Sequence, residues 1–379
     1  MKRERKKSVL IIIVLASLFI LFSWLLCSCS KDDEPVTVHK VLLVYLAGDN
    51  SLSDESRDNL NVIADGFNGA PDSRILVYRD DYGGAPSMLE ISARGKIDLI
   101  EQYGEENSAD AAVFSRFLSD ARSMYPQAGF NLLVFSHATG WLPAGSFSNP
   151  KSGTAAKSIL MDGREEMEFL HFASAIPDGM FSFIVFDACY MAGIETAYQL
   201  KNKTKYIAAS SAELLSPGYT PVYGKYINEL VDGNSASFIQ AAFNYFYNQS
   251  GYMRSATLSL IKTEQLDALA AFVRTNCDLE KEVDLGDVQH FDRYGKRYFY
   301  DFADYYSLLL ASGEKQQELQ KLIDNCVVWK ASTTDFLREF GGFAIDRHSG
   351  MTSYVMQEGY PLLNESYTAL GWYKAVRGE

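Results

Sequence analysis

Apolar residues along this chain come in two rhythms: short unbroken runs, and stretches in which they recur every three or four positions. Residues 41–46 (VLLVYL) form a run rich in β-formers that stops at the turn signal Ala47-Gly48-Asp49-Asn50. Residues 75–78 are a second such run, and 88–91 a weaker one predicted to pair with it as a hairpin across Gly83-Gly84. Over 111–124 the apolar positions Ala112, Val113, Phe117, Leu118 and Ala121 take helical spacing, and 130–135 (FNLLVF) returns to strand. After a Gly, Ser and Pro-rich passage over 143–156, a helix is expected over 167–176, a buried strand over 181–186 (FSFIVF), a helix over 191–200 and a strand over 206–211. Strands apolar on both faces and separated by helices indicate a mostly parallel sheet covered on both sides. The expected fold class is therefore α/β, a three-layer α/β/α sandwich. From about residue 225 the pattern turns helix-rich, with helices expected over 238–247, 263–275 and 302–322, and a strand-like segment over 343–354 that would extend a sheet edge.

The front of the chain follows neither rhythm. MKRERKKS is basic, residues 9–26 are continuously apolar, and CSCSKDDE follows, which reads as an export signal. An apolar run of about 18 residues is just long enough to span a bilayer. The end of the run, Leu26-Cys27-Ser28-Cys29, resembles a bacterial lipobox, which favours acylation of Cys29 over a retained helix. Ser30 to Glu34 resembles the acidic tether of Bacteroidetes-type surface lipoproteins, implying a protein anchored in the outer membrane, with its face to the outside open. The expected division is 1–28 signal peptide, 29–38 tether, 39–224 catalytic core and 225–379 helix-rich region packed on that core.

Composition supports a folded protein: of 379 residues, 47% are hydrophobic, 13% aromatic and 22% charged. Removing 1–28 takes away five basic residues and one acidic one, so the net charge of −13 becomes −17. That acidity argues against nucleic acid as a partner and suits cationic substrates. Beyond Cys27 and Cys29 three cysteines remain, Cys189, Cys277 and Cys326, so at least one is expected as a free thiol. There is no Gly-rich phosphate loop and no zinc-spaced Cys/His cluster.

Functional side chains in parallel α/β sheets collect at the carboxyl ends of strands. Two strand ends carry reactive residues: FNLLVF runs into Ser136-His137-Ala138-Thr139-Gly140-Trp141, and FSFIVF into Asp187-Ala188-Cys189-Tyr190. If those strands are neighbours, a thiol nucleophile and its base face each other. A helix beginning at 191 would direct its amino end at the sulfur and favour thiolate. Asp187 suits either a helix N-cap or a receptor for a cationic side chain.

These segments resemble the clostripain-like cysteine peptidases. SHATGW is similar to their histidine segment and FDACYMAGIETAYQL to their nucleophile segment; VYLAGDNSL, SSAELLSPGY, GMTSY and GWYKAV agree in order, over roughly residues 40 to 377. The resemblance implies a caspase-like fold with Cys189 and His137 as catalytic dyad. It further implies an oxyanion hole from the amides of Cys189 and Ala138, and Asp187 at the base of the pocket for the residue before the cut, with Ser210 and Ser211 lining it. Cleavage after Arg or Lys follows as an implication. Self-cleavage in the 143–166 loop, at Lys151, Lys157 or Arg164, is a hypothesis of the same resemblance. The chain departs from the family at Ala138, where glycine is usual; a methyl group there would narrow the oxyanion site if the position needs φ > 0. No cofactor is expected; calcium is known in the family, but Asp49, Asp54 and Asp162 form no recognisable calcium loop. A monomer acting on peptide or protein is expected. Competing readings are a catalytically silent lipoprotein of the same fold that binds peptide or glycan, and a thiol amidase. His39, His171, His290 and His348 are read as structural or surface residues.

Overall fold

In the computed structural model, residues 36–143, 146, 159–293, 295 and 297–379 are described below. The expected Cys29 anchor, the signal segment, most of the tether, Lys151 and Lys157 lie outside them.

Residues 38–379 form a single unit built on a nine-stranded sheet. In chain order its strands are β1 (Lys40–Gly48), β2 (Ser73–Asp81), β3 (Ser87–Ser92), β4 (Lys96–Gln102), β5 (Gly129–Phe135), β8 (Phe181–Asp187), β9 (Thr204–Ser210), β10 (Thr257–Lys262) and β12 (Val327–Ser332). A small hairpin, β6 (Ile159–Asp162) with β7 (Glu165–Met167), stands apart; β11 (Tyr300–Asp301) pairs with β15 (Thr352–Ser353), and β13 (Asp335–Phe336) with β14 (Phe343–Ala344). Spatial order in the large sheet is β12-β10-β9-β8-β5-β1-β2-β3-β4, with β9, β8, β5, β1 and β2 mutually parallel and the outer strands antiparallel. Strand order reverses at β1, which lies between β2 and β5, so the crevice at the carboxyl ends there is where a ligand site belongs.

Eleven α-helices occur among the described residues. On one face of the sheet, α1 (Ser53–Gly66), α5 (Thr220–Val231) and α6 (Ser235–Tyr247) cover Leu42, Val44, Val77, Leu133 and Val185. On the other, α2 (Ala111–Met124), α3 (Phe169–Ala175), α4 (Ile194–Gln199) and α7 (Leu266–Asn276) cover Leu43, Tyr45, Leu132, Val134 and Phe186. Alternate residues of one strand thus enter two different cores, which is why the strands read as continuous apolar runs rather than as alternating ones. The helix starts have local causes: Asp110 accepts from the Ala112 amide at 2.6 Å, and Asn234 from the Ser237 amide at 3.1 Å.

The expected α/β/α class and the β2–β3 hairpin are what the structure shows. Three expectations need correction. The single helix over 302–322 is two, α8 (Phe302–Leu308) and α9 (Gly313–Cys326), because Ser312 caps the second by accepting from the Lys315 amide. The segment 343–354 does not extend the sheet edge; its two short strands, β14 and β15, pair in separate ribbons. The sheet is instead extended by β10 and β12, drawn from the region read as helical. The remaining helices are α10 (Pro361–Thr368) and α11 (Gly371–Arg377), and no helix of the described residues is long and apolar enough to cross a membrane.

Candidate active site

Strands β5 and β8 are parallel neighbours, and their register pairs Phe135 with Asp187. His137 and Cys189 each stand two residues beyond that pair, so the turns that follow the two strands leave the sheet side by side. Both line a cavity of about 350 Å³, bordered also by Asp187, Glu213, Leu215 and Arg293.

Cys189 is half-buried. The Leu214 amide donates to its Sγ at 3.2 Å, and Sγ lies 3.8 Å from the Leu214 carbonyl oxygen. The next residue, Tyr190, is in the left-handed region with φ of 62°, its ring buried and stacked on Phe299 at 4.6 Å between centroids. A non-glycine residue held there signals a turn over-determined by its surroundings. The Tyr190 amide donates to the Ala212 carbonyl and the Ala192 amide to that of Ser210. Those bonds tie 190–192 to the end of β9, so the expected helix over 191–200 starts only at Ile194. A donor that would favour thiolate is the Leu214 amide from the neighbouring loop.

His137 Nε2 lies 2.9 Å from the hydroxyl of Ser51, in the turn after β1. That turn is fixed by Asn50, whose side-chain amide donates to the carbonyls of Ala47 at 3.0 Å and Met161 at 2.7 Å and whose Oδ1 accepts from the Leu52 amide at 2.9 Å. Ser136 adds a second tie, donating to the Ala47 carbonyl and accepting from the Met161 amide. Ala138 is buried and bridged to Ile159. The left-handed residue of this turn is Gly140, φ of 66°, where a Cβ would stand 2.7 Å from the Tyr190 carbonyl oxygen. Ala138 does not carry the positive φ that would have strained its methyl.

Asp187 is 3% exposed. Its carboxylate accepts from the Tyr219 amide at 3.2 Å and the Tyr223 hydroxyl at 2.6 Å. Burial pushes its carboxyl up to about 7, against the opposing effect of those two donors. Ser210 and Ser211, expected in the pocket lining, are fully buried elsewhere: Ser210 shares a hydrogen bond with Thr257 at 3.1 Å and Ser211 with His348 at 3.2 Å. The pocket wall is formed further along, over 213–218. Arg164 is exposed at the tip of the β6–β7 hairpin. Cys277 and Cys326 are free thiols pushed up to about 12, chiefly by burial. Asp54 pairs with Arg57, Asp162 accepts from the Ser108 amide, and among the described residues no three acidic, histidine or cysteine side chains converge as metal ligands.

Sequence reasoning missed Ser51, the Leu214 amide, Glu213 and Arg293. The first carried a signal, since GDNS ends an apolar run as the other two site loops do. Glu213 and Leu214 lie within SSAELLSPGY, but their roles, like that of Arg293, depend on which loops share the cavity.

The family model described as Clostripain family, of C11 peptidases, matches residues 44–367. The chain is 30% identical to an inactive zymogen C11 protease from Parabacteroides distasonis, with a TM-score of 0.78 over 90% of this chain and 99% of that one. It is 25% identical to a secreted C11 cysteine protease from Bacteroides thetaiotaomicron solved with an irreversible peptide inhibitor, with a TM-score of 0.76 over 89% and 98% of the two chains. No curated protein matches. A family match over most of the length, joined to a thiol and an imidazole at adjacent strand ends, leads to one conclusion: the chain belongs to the clostripain family and is a cysteine-type endopeptidase.

Proposed function

We propose that Cys189 is the nucleophile and His137 the general base, that the enzyme cuts after Arg or Lys, and that the protein is exported and held at the outer membrane by a lipid on Cys29. The observation that carries the dyad is the shared cavity at the β5 and β8 ends. Ser51, 2.9 Å from Nε2, orients the His137 ring. The His137 imidazole takes the thiol proton as Sγ attacks the scissile carbonyl, and the amides of Cys189 and Ala138 receive the oxyanion. The imidazolium then gives its proton to the departing amine, leaving a thioester on Cys189. Water, deprotonated by His137, attacks that thioester, and the collapse releases the carboxylic acid and restores the thiol.

The basic preference is supported by two acidic residues, Asp187 and Glu213, bordering a small cavity beside the sulfur in a chain of net charge −13. Self-cleavage at Lys151, Lys157 or Arg164 would fit the same preference, and the exposed turn at Arg164 suits a cut. A peptide or protein is the substrate; calcium dependence is left to a chelation assay. The test is a fluorogenic assay with Arg, Lys and neutral residues before the scissile bond on wild type, Cys189→Ala, His137→Ala and Asp187→Ala. Activity surviving Cys189→Ala would remove the dyad, and equal rates on the three substrates would remove the basic preference. Identical intact masses for wild type and Cys189→Ala would remove self-cleavage.

A further inference from the structure

Glu213 immediately precedes Leu214, whose amide reaches Sγ of Cys189, and both residues border the cavity. Its carboxylate is already engaged. Arg293 grips it with two nitrogens, Nε on Oε2 and Nη2 on Oε1, the latter at 3.0 Å, while Nη1 donates to the Phe340 carbonyl at 2.9 Å. The two side chains are 15% and 23% exposed, so this pair is largely withdrawn from solvent yet still reachable.

Arg293 arrives from far along the chain, on a loop whose arms meet at the His290–Tyr300 bridge. Asp292 braces that loop by accepting from the Tyr298 and Phe299 amides at 3.1 and 2.9 Å, and Phe299 packs on Tyr190, the residue after the nucleophile. The loop therefore rests on the catalytic turn and puts a guanidinium in the cavity that holds the thiol.

A guanidinium held fork-to-fork by a carboxylate is the arrangement that a substrate arginine would make. We propose that Arg293 is an internal occupant of a cation site formed by Glu213, and that a basic substrate side chain enters by displacing Arg293 from Glu213; this rests on the reading that the cavity takes a basic residue. The exchange is nearly balanced. A substrate arginine restores the bonds to Glu213, and the released Arg293 gains water. Without an internal occupant the carboxylate would stand half-desolvated and uncompensated. The enzyme thus keeps its specificity group neutralised at rest and charges every basic substrate for the displacement, while neutral side chains cannot displace it.

The test compares wild type with Arg293→Met, Arg293→Lys and Glu213→Gln, each checked for an intact thermal transition. The first readout is the ratio of kcat/KM on matched Arg and Leu peptides. Arg293→Met is expected to raise that ratio by about fivefold or more through KM, Arg293→Lys to change it less, and Glu213→Gln to lower it by about tenfold. The second readout needs no cleavage: protection of Cys189 from iodoacetamide by argininamide, expected to tighten in Arg293→Met and to vanish in Glu213→Gln. An unchanged protection constant in Arg293→Met, or full protection in Glu213→Gln, overturns the proposal. A wild type that shows no Arg preference while argininamide protection follows the expected order would remove the basic-specificity reading and leave the internal occupant standing.

Discussion

The Leu214 amide points at Sγ of Cys189 across 3.2 Å, joining the proposed nucleophile to a loop that follows a different strand. An N–H donor stabilises thiolate over thiol, and the 213–218 wall both shapes the cavity and places such a donor on the sulfur. Leu214→Pro deletes the donor. The rising limb of the pH profile for alkylation of Cys189 by iodoacetamide is expected to move up by roughly one pH unit, with circular dichroism to verify the fold. An unmoved limb would show that this amide does not set the thiol's acidity.

Ser51 offers His137 one hydrogen bond from an exposed turn. Its removal leaves water to take its place, so the effect should be on ring orientation rather than on folding. Ser51→Ala is expected to lower kcat by about two- to tenfold with KM and thermal midpoint nearly unchanged, as steady-state kinetics and calorimetry would show. A change in KM alone would contradict a positioning role.

Asp187 gives a pH dependence with a definite sign. Its carboxyl is pushed up to about 7 in the folded chain, whereas in the unfolded chain it ionises in the ordinary carboxylate range. Folding therefore takes up a proton between those limits. The stability this group contributes is present in acid and is lost as pH rises through about 7. Asp187→Asn should flatten that part of the decline in thermal midpoint, while the similarly buried Glu195, also near 7, keeps its own share. On the proposed role of Asp187 as receptor for a substrate cation, its charged form appears only as pH rises through the same interval, so KM for an Arg peptide should fall there and should cease to do so in Asp187→Asn. Parallel KM profiles in the two proteins would sink the assignment.

Gly218 closes the pocket wall over Asp187. Its φ is 61°, and a Cβ would stand 2.4 Å from Asp187 Oδ1. Gly218→Ala combines left-handed strain with a clash against a buried carboxylate, and is expected to cost roughly 1–3 kcal/mol in denaturant unfolding, with a raised KM on basic peptides. A neutral result would mean that the wall shifts without disturbing Asp187.

How much of this was legible beforehand varies by element. The runs at 41–46, 130–135 and 181–186 identified themselves because strands buried on both faces must be apolar at every position. His137 and Cys189 were legible as candidates because each directly follows such a run. The helix over 191–200 was read as starting three residues early because periodicity cannot register that the Tyr190 and Ala192 amides are spent on the Ala212 and Ser210 carbonyls. Strands β10 and β12 were hidden for a related reason: the order of neighbours, not local spacing, makes a sheet partner.

By itself, then, the sequence determined the layered α/β class, the two reactive strand ends and the family, since these depend on local apolar spacing and on short contiguous segments. Only the tertiary structure decided that β5 and β8 are neighbours, that a loop amide reaches the sulfur, that Ser210 bonds to Thr257 and Ser211 to His348, and that Arg293 meets Glu213 across 80 positions of chain. Those outcomes rest on contacts between segments remote along the chain, and whether such segments meet is fixed by the packing of the whole sheet and its two helical layers, which no single stretch of residues encodes.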